Sequence, residues 1–328
     1  MLKLLVISND IDRDNSSTNP HALRPHHETA IREAAGSSLQ VVIAAPSQAS
    51  AHYAEAEIVA AFPMRIPSLA ELPEAKWLHS FSAGVDKILT PEVRASPIHL
   101  TNSSGVHATP IAEHIVGFML LFTRQFPQAL RDQRAHEWRK ERALGEVKGA
   151  RVLIVGMGEI GTETARLLHA FGAHVSALSR SAKQKPEFVE HLASSDKLDE
   201  LLPEADVVVI TLPHTSETHH LFDAKKFALM KRSAVLINIG RGQIVNEPDL
   251  VAALQTGTIA GAGLDVFETE PLPKESALWD MEQVIITPHN SGLSHQYMNR
   301  AVELFCKNIR AYLMHEPLPN EVDKQLGY

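Results

Sequence analysis

The feature that most constrains this chain is the run Gly156-Met157-Gly158-Glu159-Ile160-Gly161. Glycines recur in loops for many reasons, so the spacing alone says little. Its setting says more. The run follows the apolar segment Arg151-Val152-Leu153-Ile154-Val155, which reads as a strand. It opens the helical stretch Gly161–Phe171, and Gly172 stands where such a helix ends. In a strand–turn–helix of this kind the first glycine permits the tight turn and the second lets a pyrophosphate approach the backbone. The third lets the helix pack closely on the strand, and amides at the helix start then meet the phosphate charge. The spacing predicts a dinucleotide-binding turn; the plainer alternative is a structural turn with no ligand.

The rest of the chain is punctuated in a similar way. Its 328 residues suit two domains. In the first hundred residues Leu4–Ser8, Gln40–Ala45, Trp77–Ser82 and Ile98–Asn102 read as strands, His27–Ala35 as a helix, and the polar, Pro-containing segment Asp10–His27 as a loop. This alternation predicts a small parallel α/β sheet. After Gly149, Val152–Val155, Val175–Leu178, Ala205–Leu212, Ala234–Ile239, Gly263–Val266 and Val284–Thr287 read as strands. Most are nearly continuous apolar runs, as in a parallel sheet covered on both faces. A long helix is expected between the two sets, with Thr109 as N-cap, Pro110 in the first helical position, and Ile111, Ile115, Phe118, Met119 and Phe122 at helical spacing. The charged stretch Arg131–Arg142 reads as a solvated face, with Trp138 packed at the domain boundary. The helical stretch Leu293–Met314 is expected to lie back over the first domain. The expected division is 1–102 with 294–328 as a substrate domain, and 103–293 as the dinucleotide-binding domain.

Composition removes several classes. The formal charge of −8 and the lack of a dense Lys/Arg run disfavour nucleic acid and anionic membrane as partners. No segment approaches the ~20 apolar residues of a membrane span, and the apolar start Leu2–Ile7 is too short for a secretion signal. The expectation is a cytoplasmic protein. The single cysteine, Cys306, lies in the apolar-periodic stretch Ala301–Leu313 and reads as a buried structural thiol in a reducing compartment. No metal-ligand spacing or nucleophile elbow is present. The adjacent pairs His26-His27 and His219-His220 are expected on the surface with their rings pointing apart.

The strand after the glycine turn ends in Ser179-Arg180-Ser181, with Lys183 just beyond. A carboxylate belongs here when a ribose 2′-hydroxyl is bound. Two hydroxyls, a guanidinium and an ammonium suit a 2′-phosphate instead, so NADP(H) is the expected cofactor, with NAD(H) possible; a solvated polar turn is the alternative. Three further segments follow strands: Asn238 to Gly242, Leu264 to Pro273, and Thr287-Pro288-His289. Residues beyond the carboxyl ends of strands in an open α/β sheet line its ligand crevice. Arg241, Glu270 and His289 therefore form a candidate constellation. An arginine fork fixes a 2-oxo acid's carboxylate and polarises its carbonyl. A histidine protonates the alkoxide left by hydride arrival, and a carboxylate beside it fixes its orientation. Each residue alone also reads as an ordinary surface group.

These segments, with Ser82-Ala83-Gly84-Val85-Asp86, Ala112-Glu113-His114 and Leu212-Pro213-His214-Thr215, resemble in order and spacing the D-isomer-specific 2-hydroxyacid dehydrogenases over nearly the whole chain. The resemblance implies an α/β fold with a Rossmann dinucleotide-binding domain and a smaller flavodoxin-like parallel α/β substrate domain, hinged around a cleft, and a homodimer. It implies that Arg241 binds substrate, that His289 is the acid/base supported by Glu270, and that backbone at Ala83 and Gly84 receives the substrate carboxylate. Asp265 is implied to contact the nicotinamide end. Gly156, Gly158, Glu159, Ile160, Ser179, Arg180, Ser181, Leu212, Pro213, Thr218, Ile239, Gly240 and Gly292 are implied to line the dinucleotide. The Ser-Arg-Ser turn is similar to that of the NADPH-preferring glyoxylate and hydroxypyruvate reductases. The implied activity is reversible reduction of a small 2-oxo acid to the D-2-hydroxy acid. A redox-sensing scaffold of the C-terminal-binding corepressor type and an oxidoreductase acting on a non-carboxylate such as phosphite are the alternatives. Formate dehydrogenases have Gln where Glu270 stands. Two departures, Asn246 in place of the usual Asp and the sequence His289-Asn290-Ser291-Gly292, are expected to alter the substrate pocket.

Overall fold

Parallel strands cannot be joined by tight hairpins, so each must be followed by a crossover, usually helical. That rule organises both halves of the chain. The computed structural model describes residues 2–12, 17–180 and 184–325. They divide into two units, Met1–Val106 with Leu293–Tyr328, and His107–Gly292.

The first unit holds β1 (Leu2–Ile7), β2 (Leu39–Ala44), β3 (Ile58–Ala61), β4 (Trp77–Ser80) and β5 (His99–Thr101). All pairs are parallel, in the order β2-β1-β3-β4-β5, which is the flavodoxin-like arrangement. β3 sits in the middle of the sheet, yet the sequence reading passes over it. Its four residues include two alanines and follow an Ala-rich stretch, and its strand character comes from burial on both faces. The helix Pro25–Ala35 begins before His27, because Pro25 occupies the first helical position, where its missing N–H costs nothing.

The helix Tyr297–Leu313 returns to this unit as expected and packs on Pro25–Ala35. It contributes Tyr297, Met298, Val302, Phe305 and Ile309 to the core. Phe305 meets Trp77 at 5.6 Å between ring centroids and stacks on His79 at 4.4 Å. Thr101 Oγ1 accepts Trp77 Nε1–H at 2.8 Å and lies 2.8 Å from His79 Nδ1. Cys306 is buried, and burial pushes its thiol up to about 11, the mark of an inert structural cysteine. His26 and His27 depart from expectation. Their ring centroids are 4.0 Å apart, both Nε2 atoms reach Asn299 Oδ1 (2.9 and 2.6 Å), and His27 is buried. Consecutive residues on a helix differ by about 100° rather than 180°, so a third group can bridge them.

The second unit contains β6 (Arg151–Val155), β7 (His174–Leu178), β8 (His191–Ala193), β9 (Val207–Ile210), β10 (Val235–Asn238), β11 (Gly261–Leu264) and β12 (Val284–Ile286). Its order is β12-β11-β10-β9-β6-β7-β8, again parallel throughout. The chain runs outward from β6 through β7 to β8, then crosses to β9 on the other side, so β6 marks the topological switch point. The short edge strand β8 is absent from the sequence reading. The helix Ala108–Thr123 packs on the helix Glu159–Ala170 and buries Ile111, Ile115, Phe118 and Met119. It starts earlier than the sequence suggests. Its N-cap is His107, already in the αR region, and Ile111 N–H bonds the His107 carbonyl at 3.1 Å. Thr109 is therefore inside the helix, and Pro110 falls in the first turn, where no intrahelical donor is needed. Trp138, expected in packing, is instead 88% exposed. No helix among the described residues is long and apolar enough to cross a membrane.

The fully buried His79 yields a stability prediction. Burial holds its imidazole down at about 3, from 6.5. Between those values the unfolded chain binds the extra proton, so the contribution is constant above pH 6.5 and stability is lost as pH falls below it. His79→Phe removes that proton. In urea titrations the variant should gain on the wild type below pH 6.5 by up to about 1.4 kcal/mol per pH unit; a difference that stays constant from pH 7.5 to 5 would contradict this.

Candidate active site

The turn after β6 excludes a side chain at two of its three glycines. Gly156 has φ +116°, a left-handed value that disfavours side chains. A Cβ on Gly161 would lie 2.0 Å from the Gly156 carbonyl oxygen, so the helix Glu159–Ala170 sits directly on the turn. A Cβ on Gly158 would meet nothing within 4 Å. The backbone there faces open space, and Glu159 and Ile160 begin the helix whose first amides lack intrahelical partners. This open backbone at a helix start fits a dinucleotide pyrophosphate.

The other sequence-assigned positions in this unit lie along the same carboxyl edge of the sheet. In spatial order they are Ser179-Arg180 after β7, the glycine turn after β6, Leu212-Pro213 after β9, Ile239-Gly240-Arg241 after β10, Asp265 to Glu270 after β11, and His289 after β12. From β7 to β11 is four strand intervals, about 19 Å at ~4.8 Å each. Such a row suits an elongated ligand. Thr218 ties its hydroxyl to the Pro213 carbonyl at 2.8 Å, which holds the loop after β9.

Arg241 is exposed, with its Nη1 donating to the Gly240 carbonyl at 2.7 Å. Its turn is held from below by Asn238, a buried side chain that donates to the Arg241 carbonyl at 3.1 Å and accepts Gly240 N–H at 3.1 Å. Gly242 lets this turn lie against the next one, since a Cβ there would fall 1.9 Å from the Phe267 carbonyl.

Glu270 and His289 are in direct contact. His289 Nδ1 lies 2.7 Å from Glu270 Oε2, both side chains being partly exposed. Glu270 Oε1 accepts Phe267 N–H at 3.0 Å, which fixes the carboxylate on its own loop. His289 has φ +52°, uncommon for a residue with a side chain. Asp265 is fully buried, and its carboxylate accepts the Thr287 hydroxyl (2.6 Å), Asn290 N–H (3.0 Å) and Ser291 N–H (3.1 Å). The Gly292 carbonyl lies 3.1 Å from His107 Nδ1. The variant residues Asn290 and Ser291 thus enter through backbone amides. Asn246, the other departure, is the N-cap of the helix Glu247–Gln255, its side chain accepting Asp249 N–H at 3.1 Å. Asn serves there as well as Asp.

At the β7 end, Ser179 is half-buried and its N–H bonds the Ala193 carbonyl at 3.0 Å. Arg180 is exposed and pairs with Glu217 at 3.4 Å, a carboxylate the sequence reading did not bring here. Ser181 and Lys183 lie outside the described residues. In the first unit, Ala83 and Gly84 lie in the turn after β4, where the Ala83 carbonyl accepts Asn102 Nδ2–H at 2.8 Å. The pair His219-His220 also departs from expectation. The rings stack at 3.9 Å, because His220 adopts φ +50° in a turn, and His220 Nε2 reaches Glu268 at 2.9 Å. Among the described residues no group of three or more His, Cys, Asp or Glu is arranged to hold a metal ion. No site role attaches to Asn238, Thr287 or His114 in the sequence; Asn238 is buried under the Arg241 turn, and the half-buried Thr287 and His114 share a hydrogen bond, relations that exist only in three dimensions.

The chain is similar to known proteins in sequence and in structure. Residues 116–291 match the profile of the D-isomer specific 2-hydroxyacid dehydrogenase NAD binding domain. A glyoxylate reductase of Thermofilum pendens is 35% identical over 259 residues, spanning 77% of this chain and 76% of that protein. A D-isomer specific 2-hydroxyacid dehydrogenase family protein of Aeromonas salmonicida is 34% identical, with TM-score 0.81 over 98% of this chain and 99% of that one. An NADPH-dependent glyoxylate/hydroxypyruvate reductase of Sinorhizobium meliloti, solved with NADP and sulfate, is 30% identical, with TM-score 0.77 and complete coverage of both chains (100% each). The chain belongs to the D-isomer specific 2-hydroxyacid dehydrogenase family, which makes it an oxidoreductase class member with a nicotinamide dinucleotide site.

Gly161→Ala tests the turn. The added methyl forces the helix off Gly156, and NAD(P)H affinity measured by fluorescence titration should fall at least about tenfold, while the far-UV circular dichroism is retained. Unchanged affinity would show that the turn does not carry the dinucleotide.

Proposed function

We propose that this protein reduces a small 2-oxo acid of the glyoxylate or hydroxypyruvate kind to its D-2-hydroxy acid, and catalyses the reverse oxidation. The observation that carries the reading is the 2.7 Å contact between His289 and Glu270, on the same sheet edge as Arg241 and the glycine turn. The nicotinamide dinucleotide, when bound, supplies or accepts the hydride. Arg241 holds the acid's carboxylate and polarises its carbonyl through its planar fork. His289 gives a proton to the carbonyl oxygen as it gains charge. Nδ1 is engaged by Glu270, which leaves Nε2 for the substrate, and Glu270 stabilises the protonated ring and fixes its tautomer. Ala83 and Gly84 are proposed to offer backbone amides to the substrate carboxylate.

NADPH is the proposed preference. Arg180 stands at the end of β7, where a 2′-phosphate would need a cation and where no carboxylate follows the strand. The NADPH-dependent relative supports it. A homodimer is proposed as well. Phe126, Leu130, Trp138 and Leu144 are exposed and close together in sequence, and are the apolar groups a second copy would cover. A reducing, cytoplasmic setting accords with the one buried cysteine.

His289→Ala should lower kcat with glyoxylate or hydroxypyruvate by about 10²–10⁴-fold and leave the NADPH dissociation constant within about twofold. Retained turnover would defeat the role assigned to His289. Arg180→Ala should raise KM for NADPH about tenfold, the scale of one charge-assisted hydrogen bond, with a much smaller effect on NADH. Equal effects on both cofactors would remove the 2′-phosphate assignment.

A further inference from the structure

The proposed acid/base residue sits in an uncommon backbone conformation, φ +52°, which persists only where surrounding structure over-determines it. What over-determines it is beneath the loop. The Asp265 carboxylate takes one donor from residue 287, one from 290 and one from 291, bracketing His289 on both sides. His289 N–H also bonds the Thr287 carbonyl at 3.1 Å. If the carboxylate turns, the loop loses its anchor on both flanks of the histidine at once.

The direction of the carboxylate is set by two further groups. A threonine hydroxyl has one proton. At 2.6 Å from Asp265 Oδ1, the Thr287 hydroxyl spends it on the carboxylate. Its contact with His114 Nε2 at 3.0 Å must therefore be one in which the hydroxyl oxygen accepts, so His114 carries its proton on Nε2. His114 is on the helix Ala108–Thr123, and its ring stands edge-on to Phe118 one turn later, at 4.7 Å and 89°, which fixes the ring plane. Burial disfavours its charged form, partly offset by the charge of Asp265. The result is a directed chain from His114 Nε2–H to the Thr287 hydroxyl, and from that hydroxyl to the Asp265 carboxylate.

We propose that His114 and Thr287 are positioning residues for His289: together they fix the Asp265 carboxylate on which the loop 287–291 is hung. This rests on the reading of His289 as the acid/base. Neither His114 nor Thr287 is asked to touch substrate or dinucleotide. They act through the placement of the imidazole, where a displacement on the order of 1 Å can cost about 10²-fold in rate.

The test is steady-state kinetics with NADPH and glyoxylate or hydroxypyruvate on the full-length enzyme, with thermal melting of each variant. Thr287→Val keeps the shape and removes the hydroxyl; it should lower kcat at least about tenfold while KM for NADPH changes less than about twofold. Thr287→Ser restores the hydroxyl and should recover most of the rate. His114→Leu should lower kcat in the same sense, and His114→Gln, whose amide can donate from nearly the same place, should recover part of it. His289→Ala, run alongside, separates the two levels. Turnover that survives His289→Ala overturns the underlying reading. Turnover lost in His289→Ala but unchanged in Thr287→Val overturns this inference alone. So does a Thr287→Val loss that serine fails to rescue, or a fall in kcat accompanied by an equal rise in KM for NADPH.

Discussion

A strand in a parallel sheet must be left by a crossover that brings the chain back to the same starting edge, so the segments following all the strands gather along the opposite edge. That constraint organises the second unit. Gly156, Leu212, Gly240, Asp265 and His289 are far apart in sequence, yet all stand one to three residues beyond the ends of adjacent parallel strands. The sheet itself is apolar and buried, with Val152 to Val155, Val208 to Ile210 and Leu236 to Ile237 all nearly or fully inaccessible. Its rigidity is what lets polar groups at its edge hold fixed positions without a core of their own.

At that edge the turns support one another through polar groups, Asn238 and Asp265 buried and Glu270 partly exposed. Asn238 holds the Arg241 turn, Glu270 is anchored on the amide of Phe267, and Asp265 anchors the His289 loop. Buried groups of this kind are stabilising only when their partners are supplied, and costly otherwise. Here the carboxylate of Asp265 is met by three donors, and Asn238 both donates and accepts. The same logic explains why glycine is needed at position 242. Two of these turns approach so closely that a methyl group would occupy the carbonyl of Phe267.

Much of this was legible in sequence. The glycine run, the apolar strands and the order Arg241, Glu270, His289 are local patterns, and local patterns survive without coordinates. What was not legible depended on neighbours distant in the chain. β3 is a short Ala-containing run that becomes a strand because β1 and β4 flank it. The helix Ala108–Thr123 starts at Ala108 because the backbone enters the αR region at His107, although Thr109 is the better capping residue. His26 and His27 are joined by Asn299, an asparagine far along the chain. Asn246 looked like a change in the pocket and is a helix cap. In the site, the pairing of Arg180 with Glu217 and the chain from His114 to Asp265 required contacts that no spacing rule describes.

The first unit is completed by a segment that lies at the other end of the chain. Phe305, Tyr297, Met298 and Ile309 fill a core otherwise built from Leu4, Val6, Ile58 and Trp77, and Val106 is separated from Leu293 by the whole of the second unit. During synthesis the five strands of the first sheet therefore emerge with one apolar face only partly covered, by the helix Pro25–Ala35. At ~5–20 residues per second that interval is on the order of ten to forty seconds. The second unit is continuous and has every strand it needs before Leu293 leaves the ribosome, so the nascent chain closes its later half before its earlier one. The early sheet is the part of this protein with the longest claim on a chaperone.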